Sequence, residues 1–292
     1  MTVSDSESRA RLPELDTTYP IFADEDEPLE PTGLGGFLRS VPRRLTWVIS
    51  MGILFALWEI APRVGWVNEI IVPPASTVMQ ALYDLTRSGV LWDNVSASLR
   101  RAATGFAIAC AGGIGLGLVL GWSSHGRRWL AAPLEFFRQI PPLAIFPVFL
   151  LILGLGFRAQ VAMVVWAAIW PIMLNTISGC QQVDPALVKA ARSFGMKQRT
   201  MFAKVVLPSS LPMISTGVRL GGTYALLVLV GAEMVGAQSG IGYLIINSQY
   251  ALQIPNMYAA IITIALLGLT LNFLLLRLEA WMSKWREHEP AK

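Results

Sequence analysis

Charge is scarce in this chain. Only 14% of its 292 residues are Asp, Glu, Lys or Arg, 54% are hydrophobic, and the mean hydropathy is +0.53. A water-soluble domain usually carries about 25% charged residues, so an ordinary soluble fold is excluded. Histidine is nearly missing: His125 and His288 both lie in polar flanks, which removes a histidine-built metal site. Cys110 and Cys180 stand far apart in apolar segments without a pairing framework, so they read as small packing residues. There is no Gly-Lys dipeptide and therefore no Gly-x-x-x-x-Gly-Lys-Ser/Thr phosphate loop, which excludes ATP hydrolysis in this chain. No nucleophile stands beside a base, and no acids, His or Cys cluster at one depth, so nothing marks an enzyme or calls for a cofactor or metal. The net charge is +4 and the pI about 9.3, yet the basic residues flank apolar runs. They form no stripe that would suit nucleic acid.

What the chain has is apolar blocks of about 17–25 residues, the length of a membrane span. Six are expected, at about Leu45–Ala61, Ala102–Trp122, Leu134–Phe157, Ala159–Gly179, Gly217–Gly236 and Met257–Leu276. The second carries Gly113, Gly117 and Gly121, small residues at steps of four that admit a neighbouring backbone. The third is broken by Pro141, Pro142 and Pro147, so its freed carbonyls must face protein or water rather than lipid. Between the first two spans, Val78, Leu82 and Leu85 fit a short amphipathic helix lying at an interface. Residues 1–36 carry nine acids and four prolines (Pro13, Pro20, Pro28, Pro31); that composition predicts a disordered acidic tail, leaving 37–292 as the membrane domain. The acidic N-terminus has no short apolar core, so no cleavable signal peptide is expected.

Basic residues set the orientation. Arg39, Arg43, Arg44, Arg127, Arg128, Lys189, Arg192, Lys197, Arg199, Lys204, Arg277, Lys284 and Arg286 fall on one side of a six-span topology. Arg63, Arg87, Arg100, Arg101 and Arg158 fall on the other. The positive-inside rule places both termini, and the loop after the fourth span, in the cytosol.

That loop, Asp184 to Pro208, is too charged for a bilayer and too ordered for a plain connector. Asp184 is a good N-cap and Pro185 suits the first helical position. Leu187, Ala190, Ala191 and Phe194 recur at helical spacing as one apolar face, with Lys189 and Arg192 off it. Gly195 stops the helix. A second piece runs from Met196 to Val206 and ends at Leu207-Pro208. Two short amphipathic helices joined at a glycine make a knob, and a knob needs a groove on a partner.

Ala190-Ala191, then Gly195, nine further residues and Val205-Val206-Leu207-Pro208 resemble the cytosolic loop motif of ABC importer permeases: Glu-Ala-Ala, three residues, Gly, nine residues, Ile-x-Leu-Pro. Lys189 stands where that pattern has Glu, and Val205 where it has Ile. The segments LWEIAPRVGW, SLRRAATGF, FRQIPPLAIFPVFL, WPIMLNTISG, GVRL and GAEMVGAQSGIGYLI extend the resemblance over about residues 54–285, toward permeases for nitrate, alkanesulfonates, taurine and bicarbonate. The resemblance implies an all-α polytopic protein with the type I ABC importer permease fold, in the bacterial cytoplasmic membrane. It implies a homodimer, two cytosolic ABC ATPase subunits carrying ATP and Mg, and an extracytoplasmic solute-binding protein. The knob residues that would couple to the ATPase are Leu187, Lys189, Ala190, Ala191, Phe194, Gly195, Val205, Leu207 and Pro208.

For the solute path the candidates are polar or bend-forming residues at membrane depth: Arg138, Gln139, Pro141, Asn175, Tyr224 and Glu233. An oxyanion wants donors and a cation, which favours Arg138, Gln139 and Asn175. Glu233 suits a partnered cation or a helix cap better. The competing reading for each is interhelical bonding or snorkelling. For the whole chain, the rival is an ATP-independent secondary transporter or channel, which would leave the knob without a purpose.

Overall fold

The computed structural model describes residues 43–283, with side-chain surroundings for residues 49–281. The expected acidic tail, 1–36, lies outside the described residues. The chain divides into two compact units, Met1–Ala56 and Leu57–Lys292. The described part of the first is the opening of helix α1, Arg43–Arg63, on which Ile49, Met51, Ile53, Leu54 and Phe55 are exposed, a surface that suits hydrocarbon.

The second unit is helical throughout its described regular elements: α2 (Ala75–Arg87), α3 (Val90–Trp122), α4 (Ser124–Arg138), α5 (Pro142–Leu153), α6 (Phe157–Gln181), α7 (Pro185–Ser193), α8 (Gln198–Met201), α9 (Leu207–Gly236), α10 (Ile241–Tyr250) and α11 (Ile254–Ser283). Among the described residues four helices are long and apolar enough to cross a membrane: α3, α6, the rod Gln198–Gly236 and α11. The pair α4–α5, bent by 93°, makes a fifth if counted as one broken span. The expected first span falls on α1.

Two boundaries differ from expectation for a physical reason. Helix α3 begins at Val90 rather than near Ala102. Its first turns carry Asn94, Ser98 and Arg101, all buried, so protein partners rather than lipid accept the polar groups that lower its hydropathy. Helix α2 does not lie with its apolar face on an interface. Val78, Ala81 and Leu85 are buried in one cluster with Leu91, Val95, Ile241 and Leu244, which makes it part of the bundle.

The core is built round α6, flanked by α3 and α9. A Cβ added at Gly105, Gly117 or Gly121 would lie 2.6–2.7 Å from the Cβ of Val164, Thr176 or Cys180 respectively, and one at Gly113 would lie 2.9 Å from Ile172 Cγ2. The expected stripe is thus a line of backbone contact. On the other flank, a Cβ added at Gly217 or Gly221 of α9 would lie 2.8 Å from Asn175 Cβ or 2.7 Å from Ile172 Cγ1. Val164, Ala168, Ile172 and Leu229 are fully buried between them. In the same stretch of α9, Arg219 Nε meets Glu279 Oε2 of α11 at 2.6 Å, and Thr216 donates to Glu279 Oε1 at 2.8 Å. That accounts for a cation inside an apolar helix.

Candidate functional site

The knob forms much as its residues dictate. Asp184 accepts a hydrogen bond from the Ala186 amide at 2.7 Å and opens α7, with Pro185 at the first helical position. The helix ends on Gly195 at φ +70°. There the Gly195 amide donates to Arg192 O at 2.9 Å and the Met196 amide to Ala191 O at 3.1 Å, the paired bonds of a Schellman ending. A Cβ on Gly195 would meet nothing within 4 Å, so the demand for glycine is conformational rather than spatial.

The apolar face is divided differently from the sequence expectation. Of its residues Ala191 alone is buried, while Leu187, Ala190 and Phe194 are exposed. Phe194 is 83% exposed. Lys189 and Arg192 are exposed beside them. Val205 and Val206 pack against Cys180 and Val183 at the root, and Leu207 and Pro208 are half-buried. The expected stop at Pro208 does not occur. Proline 208 lacks the amide that would bond to Lys204 O, and its ring crowds that carbonyl. The backbone instead widens to a π-helical segment, Phe202–Val206, and continues as one rod to Gly236. A π-bulge absorbs the proline without ending the helix.

The candidate path residues do not form one group. Arg138, Gln139 and Tyr224 line a single cavity of about 450 Å³ at the α4–α5 bend, walled also by Trp170, Pro171 and Leu174. Pro141 forms the bend itself, as the N-cap of α5. Arg138 Nη2 lies 2.6 Å from Glu135 Oε1, and Gln139 Nε2 donates to the same oxygen at 3.0 Å. Asn175 sits apart, with its Nδ2 donating back to Pro171 O of its own helix at 2.8 Å.

Glu233 is elsewhere again, fully buried in a closed network. Arg101 Nη1 reaches Glu233 Oε1 at 2.9 Å. Ser98 Oγ donates to the carboxylate at 2.8 Å, and the Gly242 amide donates to Oε2 at 3.0 Å. Arg101 also donates to Ser239 O and Ser239 Oγ, each at 2.9 Å. The Gly240 amide donates to Asn94 Oδ1 and the Ile241 amide to Ser98 Oγ. The three amides at the start of α10 are therefore all held by side chains of α3 and α9, with the carboxylate placed where the helix dipole favours it. Glu233 has both the cation and the helix-capping role that its chemistry suggests, and it does not line the cavity at the bend. Sequence reasoning missed Asn94, Ser98 and Arg101 as its partners. The available signal was their spacing, i, i+4 and i+7, which places them on one helix face.

Comparison with known proteins places this geometry in context. Residues 113–288 match the family described as "Binding-protein-dependent transport system inner membrane component". The Escherichia coli K12 protein described as an aliphatic sulfonates transport permease, SsuC, is 37% identical over 222 residues, covering 76% of this chain and 84% of that protein. The bicarbonate transport system permease protein CmpB of Synechococcus elongatus is 33% identical over 198 residues, covering 68% and 69%. Among solved structures, a chain of the inward-facing MetNI methionine ABC transporter superposes with a TM-score of 0.58 at 19% identity, covering 65% of this chain and 94% of that one. At that identity the likeness speaks for the fold alone.

Proposed function

The chain belongs to the family of binding-protein-dependent transport system inner membrane components, and from that premise we propose that it is the permease subunit of an ATP-driven importer for a small oxyanion. It is an inner-membrane transport permease of the ABC type. The finer reading is that two copies pair across the membrane, and that each docks one cytosolic ATPase through its knob. ATP and Mg bind on that partner, both termini of this chain are cytosolic, and an extracytoplasmic binding protein delivers the solute. Sulfonates, taurine and bicarbonate are the solutes named in the relatives' descriptions, and the donors at the α4–α5 bend suit these and nitrate alike.

The observation that carries this reading is the knob. Leu187 and Phe194 are large apolar side chains exposed on a short, capped helix between two spans. A compact helical surface of this kind fits a groove on a partner. Closure of the ATPase dimer would move the knob, and the unbroken rod from Gln198 to Gly236 would carry that movement into the membrane. The bend between α4 and α5 is the one feature that suits an ATP-independent carrier, and that alternative gives the exposed knob no role.

The test is purification of the tagged chain in mild detergent. A soluble subunit with a phosphate loop should co-purify in stoichiometric amount. Gly195→Val should lose it, because a β-branched residue at φ +70° is strained by about 1–3 kcal/mol, while membrane insertion stays normal. A homo-oligomer with no partner, isolated from cells expressing the neighbouring genes, would favour the ATP-independent carrier.

A further inference from the structure

We infer that Glu135 is a built-in stand-in for the transported oxyanion: its carboxylate holds the donors of the cavity at the α4–α5 bend until a solute oxyanion displaces it. This rests on reading that cavity as part of the solute path. The polar groups on its wall are the guanidinium of Arg138, the amide of Gln139, the hydroxyl of Tyr224 and the indole of Trp170. Each can donate, and Arg138 and Trp170 can only donate. Trp170 Nε1 is buried with no acceptor. Among the described residues no carboxylate lines the cavity, and the carboxylate bonded to its wall is that of Glu135: Arg138 and Gln139 converge on a single oxygen of it, at 2.6 and 3.0 Å.

A pair three residues apart on a helix could be a simple surface ion pair. Its setting points further. It lies at a 93° break in a segment apolar enough to span a membrane, where an unmatched guanidinium would be expensive. Two oxygens on one central atom are the unit that an arginine fork recognises, and carboxylate, sulfonate, nitrate and bicarbonate all present it. An exposed ion pair contributes little to stability, so it opens readily when a better-placed anion arrives. Glu135 thus keeps the empty cavity neutral and its donors gathered. An incoming oxyanion takes over Arg138 and Gln139. The cavity, about 450 Å³, is of the size usual for small-molecule sites.

The assembled complex in detergent supplies the test, with ethanesulfonate, nitrate and bicarbonate as probes and chloride as competitor. Glu135→Ala should bind at least one probe about ten-fold or more tightly than the unmodified complex, the worth of a charge-assisted hydrogen bond no longer contested. Adding Arg138→Gln should abolish the gain, and chloride should compete poorly, because it offers a single acceptor atom rather than two oxygens. The inference is overturned if Glu135→Ala gains affinity for none of the three. It is equally overturned if the gain survives Arg138→Gln, or if chloride competes as well as the oxyanions, which would make the effect one of net charge. A second measurement separates this from the path reading: Tyr224→Cys, challenged with a charged, membrane-impermeant thiol reagent with and without ATP. If that cysteine reacts in one state and Glu135→Ala gains nothing, only the stand-in role falls. If it never reacts, the path reading falls too. Loss of the dimer in Arg138→Gln would mark the pair as a subunit contact instead.

Discussion

Removing Arg101 should destabilise the protein far more than its single ion pair suggests. Glu233 is fully buried and Arg101 nearly so, and the two meet at 2.9 Å. Arg101→Met keeps most of the side-chain volume but strands the carboxylate with only Ser98 Oγ and the Gly242 amide, and frees Ser239 O and Oγ. Breaking one side of a buried pair typically costs about 3–5 kcal/mol. Glu233→Gln strands Arg101 in the opposite sense, although Ser239 still accepts from it, so a loss of about 2–4 kcal/mol is expected. The double variant Arg101→Met, Glu233→Gln has neither charge to desolvate and should recover a large part, leaving an interaction energy of about 2–3 kcal/mol. Reversible unfolding in mixed micelles, read by the fluorescence of the ten tryptophans, yields all four corners of the cycle. Hydrogen exchange at the Gly240, Ile241 and Gly242 amides should speed up in both single variants, because those amides are satisfied only by this network. Additive losses, or single variants within about 1 kcal/mol of the unmodified protein, would refute the account of a coupled buried network.

Three further outcomes are expected. Gly117→Leu should prevent the approach of α3 to α6, because even its Cβ would lie 2.6 Å from Thr176 Cβ; detergent melting should drop sharply, whereas the same change at Gly115, where a Cβ meets nothing, should leave it nearly unchanged. Asp184→Ala removes the cap on Ala186 and should cost about 1 kcal/mol, measured as faster hydrogen exchange in α7. Lys189→Glu restores the carboxylate of the related motif on an exposed helix face; weaker co-purification of the native ATPase is expected, and unchanged co-purification would show that Lys189 has no specific partner.

The long helices are legible because hydropathy alone carries them. Helix α6 presents two polar side chains to the buried core, Gln160 near its start and Thr176 near its end, and residues 161–174 between them are apolar throughout. The knob is legible for a different reason: Asp-Pro opens a helix and glycine closes one whatever surrounds them. Hydropathy fails where tertiary partners satisfy polar groups. Arg100 and Arg101 look like the outer edge of a span, yet α3 runs two turns and more beyond them to Val90, because Glu233, far along the chain, neutralises Arg101. The apolar face of α2 reads equally as lipid-facing or core-facing, and only α10 and α11 decide it. At the α4–α5 bend the candidates Arg138, Gln139 and Tyr224 are individually visible as polar residues at depth. Their convergence is not, because Tyr224 comes from α9 and the bend angle belongs to three dimensions.

Pro208 shows how such a local rule and the fold come to terms, and what the compromise does for transmission. A proline at that position should break a helix, and a break would let the knob swivel on its stem. The π-helical turn Phe202–Val206 takes up the missing amide instead. Cys180, Val183 and Val206 pack together there, binding the base of the knob to the C-terminal end of α6. The knob is thereby fixed to two spans at once, α9 through the rod and α6 through this cluster. A force on Phe194 or Leu187 would turn both helices together rather than flex a loop. Beyond the cluster, α6 and α9 are locked by backbone approach at Gly179, Gly217 and Gly221, and midway along their lengths they wall the cavity through Trp170, Pro171 and Tyr224. Relaxing the joint, by replacing Val206 with a small residue, would uncouple ATP hydrolysis from any change at Tyr224 while leaving the partner bound. If Val206→Gly leaves both the ATP dependence of labelling at Tyr224→Cys and its rate untouched, the rigid joint is not what carries the motion.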